Sequence, residues 1–211
     1  MSVNNSGFSS PLAVVGQTAE CLTEIYRDEV NLVVWERKLT EECRTFAEQF
    51  SEWAGEFERF VSLDEEGPID HALPQWALKL PGVEDWMRDV EEIIDMFRCL
   101  FEPKAVGLRL HVLRGTICPR FHTDRVPVRL LTTYIGRGTE WLPEYAVVRP
   151  DSDSPLPDQS VSDSDIQALP TEAVSILKGE SWIGNEGRGL VHRSPSPGTR
   201  PRLVVGLDWL S

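Results

Sequence analysis

The spacing of hydrophobic residues changes near residue 105, and this change constrains the fold more than any other feature of the sequence. Between residues 40 and 100, large apolar side chains recur every three or four positions, which is the period of an amphipathic helix. From Ala105 to Leu113 they recur at every second position, which is the period of a strand with one buried face. Helices followed by antiparallel strands predict an α+β protein with a sandwich or barrel core.

Two amphipathic helices are predicted before this change. The first begins near Thr40, because a hydroxyl there can accept a hydrogen bond from the free amides of the first turn. Its apolar stripe would consist of Phe46, Phe50, Trp53, Phe57 and Phe60. The second helix follows the break at Pro81-Gly82, and its stripe would consist of Trp86, Val90, Ile93, Phe97 and Leu100. We interpret both stripes as core rather than as a binding site.

Shorter elements complete the prediction. A weaker helix is predicted over residues 19–26 and a strand over 31–37, and further strands are predicted over 126–135, 145–148, 173–177, 189–192 and 202–208. Residues 149–165, rich in Asp, Ser and Pro, are predicted to form an exposed loop. The chain is accordingly divided into residues 1–104, a helical region that packs on the core, and residues 105–211, the β core.

The net charge of −13 lies entirely in the first half of the chain. Residues 1–100 hold 8 Lys and Arg against 21 Asp and Glu, whereas residues 101–211 hold 13 of each. Because a surface this acidic repels phosphate backbones, we expect no nucleic-acid partner. The neutral second half could still bind a small anion through one of its arginines.

The cysteines and the apolar runs indicate the compartment. Four cysteines lie far apart without a C-x-x-C pair, and the first residues lack the basic start and apolar stretch of a signal peptide. No apolar run approaches the roughly 18 residues that a membrane span needs. We therefore expect a cytoplasmic protein with free thiols and no membrane partner.

The segment "FHTD" provides the strongest chemical signal. His122 and Asp124 stand two positions apart, so on an extended segment both side chains emerge on one face and could hold one cation. A third ligand is available in His192, at the end of a predicted strand, whereas His111 and His71 are interpreted as an ordinary strand residue and a loop residue. Two imidazoles and one carboxylate with open positions form the facial arrangement of non-haem iron(II) oxygenases.

These segments resemble the iron(II)/2-oxoglutarate-dependent dioxygenases. The motif residues lie in "FHTD", "LVHRSP" and "GTRPRL", and "TTYIGRGTEWL" is similar to a prolyl-hydroxylase-type segment. The resemblance covers roughly residues 105–210 and implies a double-stranded β-helix, a jelly-roll or cupin-like core, beneath an N-terminal helical layer. It also implies a hydroxylase-type oxidoreductase with Fe(II) and 2-oxoglutarate as cofactors, acting on a small-molecule or peptide substrate.

The same resemblance implies residues for the cosubstrate. Arg202 lies at the family's offset from His192, and its planar fork could bind the far carboxylate of 2-oxoglutarate through two hydrogen bonds. Arg200 would share the same face of an extended segment and remains a rival. Apart from the resemblance, Tyr134 is predicted to donate its hydroxyl to the same acid, because counting alternate positions from His122 along an extended segment places it on the same face.

Over its whole length the chain is also similar to an uncharacterised bacterial family, a domain of unknown function that shares the blocks "CPRFH-x-D" and "GLVHRSP". That resemblance implies a link to zinc homeostasis, so a non-oxidising metal-binding protein that holds zinc or iron remains an alternative. Cys118 could then complete a closed tetrahedral set with His122, Asp124 and His192. A further alternative is an interaction module whose acidic helical half binds a protein partner. The substrate and the oligomeric state stay open.

Overall fold

The structure is a computed structural model, and it describes residues 11–63, 68–150 and 154–210. Within these residues it contains two α-helices, α1 (Glu41–Trp53) and α2 (Val83–Phe101). The strands are β1 (Leu12–Gly16), β2 (Val30–Trp35), β3 (Phe57–Leu63), β4 (Ala105–Leu113), β5 (Val128–Ile135), β6 (Glu140–Trp141), β7 (Gln167–Ala168), β8 (Val174–Lys178), β9 (His192–Arg193) and β10 (Arg202–Leu210). Short 3-10 helices cover Ala19–Tyr26, Asp70–Ala72, Ala77–Lys79, Glu144–Ala146 and Asp163–Asp165.

The strands form a large and a small sheet. The large sheet has seven strands in the order β1-β2-β8-β5-β10-β4-β3, and the small sheet has three in the order β7-β6-β9. All pairs are antiparallel except β1 with β2. The predicted α+β class is confirmed. The division of the chain at residue 104 stays a prediction, and three strands that precede that residue, β1 to β3, are hydrogen bonded into the large sheet.

One face of the large sheet packs against α1 and α2. The hydroxyl of Thr40 accepts a hydrogen bond from the amide of Cys43 at 3.2 Å, so α1 begins at its predicted cap. Fully buried side chains from the two helices and from the sheet form one core cluster; its members include Phe46, Phe50, Trp86, Phe97, Leu110, Leu130 and Val205. Burial of each such side chain stabilises the fold by about 1.5–3 kcal/mol.

The predicted continuation of α1 through Phe57 and Phe60 is wrong. The helix ends at Trp53, and Gly55 follows with a φ of +68°, a left-handed conformation that glycine adopts readily. Phe57 and Phe60 instead belong to β3, which pairs with β4. The ring of Phe60 covers Gly107, where an added Cβ would lie 2.9 Å from the ring.

The other predicted elements are partly confirmed. The strands predicted over 31–37, 105–113, 126–135, 173–177 and 202–208 correspond to β2, β4, β5, β8 and β10, and the helix over 19–26 is a 3-10 helix. The strand predicted over 145–148 is wrong, because the chain after Pro143 forms a 3-10 turn with Tyr145 exposed. Of the strand predicted over 189–192, only His192 is paired as part of a strand, in β9.

Two further predictions concern the surface and the membrane. Residues 151–153 of the predicted loop lie outside the described residues, and the remainder contains one 3-10 turn, Asp163–Asp165. No helix in the described part of the chain combines the length and the apolar character that a membrane crossing requires. The cytoplasmic location stays a prediction.

Candidate metal centre

The structure brings the side chains of His122, Asp124 and His192 together. One ligand atom from each lies within 4.8 Å of the others. His192 Nε2 is 3.5 Å from Asp124 Oδ2, and the centroids of the two imidazole rings are 4.6 Å apart. This is the only cluster of three or more potential metal ligands among the described residues.

Backbone pairing holds the two histidines next to each other. The amide of His122 donates to the carbonyl of His192 at 3.0 Å, and the amide of His192 donates to the carbonyl of His122 at 2.9 Å. On its other side β9 pairs with β6, where Glu140 accepts a hydrogen bond from Arg193 Nε at 2.7 Å. The small sheet therefore fixes the position of His192 and, through it, that of His122.

Backbone carbonyls also determine which ring nitrogens face the cluster. His122 Nδ1 lies 2.9 Å from the carbonyl of Arg120, and His192 Nδ1 lies 3.0 Å from the carbonyl of Leu190. Because a carbonyl can only accept, each Nδ1 carries the proton and each Nε2 keeps a free lone pair. Burial lowers the pKa of the His192 imidazole, although Asp124 acts in the opposite direction, so the ring stays neutral near pH 7.

Asp124 has one engaged and one free carboxylate oxygen. Oδ1 accepts a hydrogen bond from Arg129 Nη1 at 2.8 Å, whereas Oδ2 is buried without a hydrogen-bond partner. A buried carboxylate oxygen without a partner is unfavourable unless a cation satisfies it. The free oxygen and the two Nε2 lone pairs thus fit one divalent metal with nitrogen and oxygen ligands.

A cavity of about 320 Å³ adjoins this cluster. Its wall includes His122, His192, His111, Arg129, Thr139 and Arg202. Alternate residues of β10, from Arg202 to Gly206, face this cavity, and the intervening Leu203 and Val205 belong to the core on the helical side. A second cavity of about 570 Å³ also includes His122 in its wall, so this residue borders both cavities.

Arg202 extends into the first cavity with unused hydrogen-bonding capacity. Its Nη2 donates to Thr139 Oγ1 at 2.7 Å and to Thr133 Oγ1 at 3.3 Å, but its Nε is buried without a partner. It makes no ion pair with any described carboxylate, and burial lowers the pKa of its guanidinium to about 10. The guanidinium stays charged at neutral pH and lacks a counterion in the described part of the chain. Arg200, in contrast, is exposed, with Nη1 3.8 Å from Glu48 on α1.

Tyr134 lies on the opposite face of the large sheet and is removed from the candidate binding residues. Its hydroxyl donates to Asp89 Oδ2 at 2.6 Å, and its ring contacts Trp86 within the helical core. The prediction counted alternate positions from His122, but residues 125–127 form a bend. The cavity face of β5 therefore contains Arg129 and Leu131 instead.

The remaining candidates lie outside the cluster. Cys118 is exposed and lines the cavity, but its thiol is not one of the clustered ligand atoms, so the closed zinc set is not formed. His71 lies in an exposed 3-10 turn. His111 faces the cavity, and its Nδ1 is buried without a hydrogen-bond partner. Burial lowers the pKa of the His111 imidazole.

Sequence reasoning missed Asp208. This residue is 3% exposed and accepts hydrogen bonds from Arg129 and Arg109. The segment "RLVVGLDWL" could have revealed this residue, because it places one acidic side chain in an apolar strand, on the same face as Arg202.

Comparisons with known proteins agree with this fold. Residues 16–208 match the sequence model of a family described as "Protein of unknown function (DUF1826)". No curated protein matches the sequence significantly. Among solved structures, the dioxygenase for auxin oxidation from rice superposes with a TM-score of 0.50 at 14% identity, covering 96% of this chain and 83% of that chain.

Two further solved structures are similar with slightly lower TM-scores. The dioxygenase for auxin oxidation 1 from Arabidopsis thaliana, in complex with 2-oxoglutarate, has a TM-score of 0.48 at 10% identity, covering 96% of this chain and 93% of that chain. A Pseudomonas putida prolyl-4-hydroxylase has a TM-score of 0.48 at 8% identity, covering 92% of this chain and 98% of that chain. At these identities the likeness concerns the fold alone.

Proposed function

We propose that this chain, which belongs to the DUF1826 family, is a non-haem iron(II)/2-oxoglutarate-dependent oxygenase of the hydroxylase type. The metal would be held by His122, Asp124 and His192, and Arg202 would bind the far carboxylate of 2-oxoglutarate. The substrate would be a small molecule or a peptide. The fold shared with the rice dioxygenase is consistent with a double-stranded β-helix core.

One observation carries this proposal: the cavity that Arg202 lines also reaches His122 and His192, whose ring nitrogens cluster with the carboxylate of Asp124. Asp124 Oδ2 is a buried carboxylate oxygen without a hydrogen-bond partner, and Arg202 is a partly buried cation without a carboxylate partner among the described residues. A metal satisfies the first and a carboxylate satisfies the second. A dicarboxylate that also coordinates a metal through its 2-oxo acid end can bridge them, which favours 2-oxoglutarate over a simple anion.

The residues of the chain would bind and orient the reactants. When bound, iron(II) would supply the redox chemistry by which dioxygen oxidises 2-oxoglutarate and a C–H bond of the substrate. The histidines would present Nε2 because their Nδ1 protons are committed to backbone carbonyls. Thr139 would keep the guanidinium of Arg202 oriented, since it already accepts a hydrogen bond from Nη2.

Apolar side chains and the second cavity complete the proposed site. Leu131 and Val204 line the first cavity and would limit the access of water to the bound cosubstrate. The second cavity, which shares His122 with the first, offers room for a substrate beside the cosubstrate. Its wall includes Phe121, Arg125 and Glu180, so both polar and aromatic contacts are available there.

The proposal is tested with protein purified anaerobically and loaded with Fe(II). Metal analysis should give about one iron per chain, and addition of 2-oxoglutarate and air should release succinate. The Asp124→Ala variant is the control, because it removes the carboxylate ligand, and it should show neither. Wild-type protein that binds iron but neither binds nor converts 2-oxoglutarate would overturn the oxygenase assignment.

A further inference from the structure

We propose that Arg129 is the positioning residue of the metal-binding carboxylate, and that Asp208 fixes Arg129 in this role. The inference rests on the metal site of the proposed function but not on its redox reaction. It adds two residues, neither of which would touch the metal, to the determinants of metal affinity.

Arg129 lies between two carboxylates and uses a different nitrogen for each. Its Nη1 donates to Asp124 Oδ1 at 2.8 Å, and its Nε donates to Asp208 Oδ1 at 2.6 Å. All three side chains are largely shielded from solvent, with exposed fractions of 21% for Arg129, 12% for Asp124 and 4% for Asp208. Solvent therefore screens these two contacts much less than it screens a surface ion pair.

Asp208 is itself fixed from both sides of β10. It stands opposite Arg129 of β5 in the sheet register, and its Oδ2 accepts a hydrogen bond from Arg109 Nε of β4 at 2.6 Å. The carboxylate of Asp208 thus links three neighbouring strands of the large sheet, β4, β10 and β5.

These contacts determine which carboxylate oxygen of Asp124 faces the two histidines. Because Oδ1 is held by Arg129, only Oδ2 is left to face the two Nε2 atoms, and Oδ2 is the atom without a partner. A planar guanidinium can hold two carboxylates with nitrogens that point in different directions, whereas a lysine ammonium is a single point charge. Groups that orient metal ligands from behind typically change metal affinity about 10–100-fold when they are removed.

Strand β10 would thereby hold residues at both ends of the proposed site, the carboxylate-binding end and the metal-binding end. Arg202 and Asp208 lie on one face of β10, the first free to bind a carboxylate and the second bracing the metal ligand through Arg129. A displacement of β10 would change both sites together.

A comparison of two buried ion pairs separates positioning from stability. Arg37 and Asp89 form a pair on the helical face of the large sheet, with Arg37 Nη2 2.9 Å from Asp89 Oδ2, and neither residue belongs to the ligand cluster or to the wall of the first cavity. Asp208→Asn and Asp89→Asn each remove one charge from such a pair. Asp89→Asn is therefore the matched control for a purely structural effect.

The measurements are the Kd of Co(II) for the metal-free full-length protein, the visible absorption of bound Co(II), and the Tm. We expect Arg129→Leu and Asp208→Asn to raise the Kd about 10–100-fold. Arg129→Leu should also change the Co(II) spectrum, because Asp124 Oδ1 becomes free to coordinate. Asp89→Asn should lower the Tm and leave the Kd at the wild-type value.

Folded Arg129→Leu or Asp208→Asn protein with a wild-type Kd and spectrum would overturn the inference, as would an equal rise in Kd for Asp89→Asn. If Arg129→Leu does not fold, Asp208→Asn and Arg129→Lys decide the question by the same readouts. Wild-type protein that binds Co(II) but does not convert 2-oxoglutarate with Fe(II) would contradict the oxygenase and leave the positioning role standing. Wild-type protein that takes up no Co(II) would overturn both.

Discussion

His122 and His192 exchange two backbone hydrogen bonds, of 3.0 and 2.9 Å, and their rings lie 4.6 Å apart between centroids. Each ring also places its Nδ1 against a backbone carbonyl. The two imidazoles are therefore oriented by main-chain contacts, whereas Asp124 is oriented by a side chain, Arg129. Because the Asp124 side chain takes no part in the main-chain contacts, its substitution should change metal binding without changing the fold.

Replacement of Asp124 by Ala should abolish metal binding and leave the fold intact. The backbone bridge between the histidines does not involve the Asp124 side chain, and Arg129 keeps its hydrogen bond to Asp208. Metal content and the circular dichroism spectrum of the purified variant provide the test. Wild-type metal content in this variant would show that the ligand assignment is wrong.

Replacement of Arg202 by Leu should weaken 2-oxoglutarate binding and leave metal binding unchanged. Hydrogen bonds to a charged group contribute about 1.5–3 kcal/mol, which corresponds to about 10–150-fold in Kd. Arg202→Lys should fall between the wild type and Leu, because it keeps the charge and loses the planar fork.

The exposed Arg200 supplies the control for Arg202, and Arg200→Leu should bind 2-oxoglutarate as the wild type does. Anaerobic titration calorimetry measures all four proteins. An effect of Arg200→Leu larger than that of Arg202→Leu would reverse the assignment.

Removal of the Tyr134 hydroxyl should affect stability and not the site. Its hydroxyl donates to Asp89 on the helical face of the sheet, so Tyr134→Phe deprives a buried carboxylate of one donor. We expect a loss of about 1–3 kcal/mol in the free energy of unfolding. Urea denaturation measures this loss, and an unchanged Kd for 2-oxoglutarate is the accompanying result. A raised Kd with unchanged stability would return Tyr134 to the binding residues.

Lys178 should make stability depend on pH in the alkaline range. Its side chain is buried, its Nζ donates to the carbonyl of Arg27 at 3.0 Å, and burial lowers its pKa to about 8. Between about pH 8 and its unfolded pKa of about 10.4, the unfolded chain therefore binds more protons than the folded one, and stability contributed by this group rises with pH. Below pH 8 both states are protonated and this dependence disappears.

The difference between wild type and Lys178→Met isolates this effect from other groups that titrate in the same range. Lys178→Met removes a buried charge, so it should raise the free energy of unfolding. This gain should be largest near pH 7 and should shrink between pH 8 and 10. Denaturation at several pH values measures it, and Lys104→Met, at an exposed position, is the control. A constant difference across this range would contradict the depressed pKa.

The sequence indicated His122 and Asp124 by their spacing and His192 with the help of the resemblance to the dioxygenases, and the structure brings these three side chains together. The sequence could not place Tyr134, since the face of a strand can be counted from a neighbouring segment only if no bend intervenes, and residues 125–127 bend. The end of α1 was missed for a related reason. Phe57 and Phe60 fit a helical period as well as a strand, and only the left-handed Gly55 separates them from the helix.

The contacts of Asp208 could not be predicted from the sequence for a different reason. Its partners Arg109 and Arg129 lie on two neighbouring strands, and the order of strands in the sheet follows from tertiary pairing rather than from local sequence. A buried acid in an apolar strand indicates a cationic partner, but it does not identify which of thirteen basic residues in that half of the chain is near.

The most direct test of the central claim is an anaerobic titration of 2-oxoglutarate into the wild-type protein with and without bound Fe(II). If the metal cluster and Arg202 hold opposite ends of one dicarboxylate, the metal-loaded protein should bind 2-oxoglutarate at one site per chain, and the metal-free protein should bind it at least about tenfold more weakly, since it keeps only the contacts at one end. Equal affinity in the two states, or no binding to the metal-loaded protein, would contradict the account.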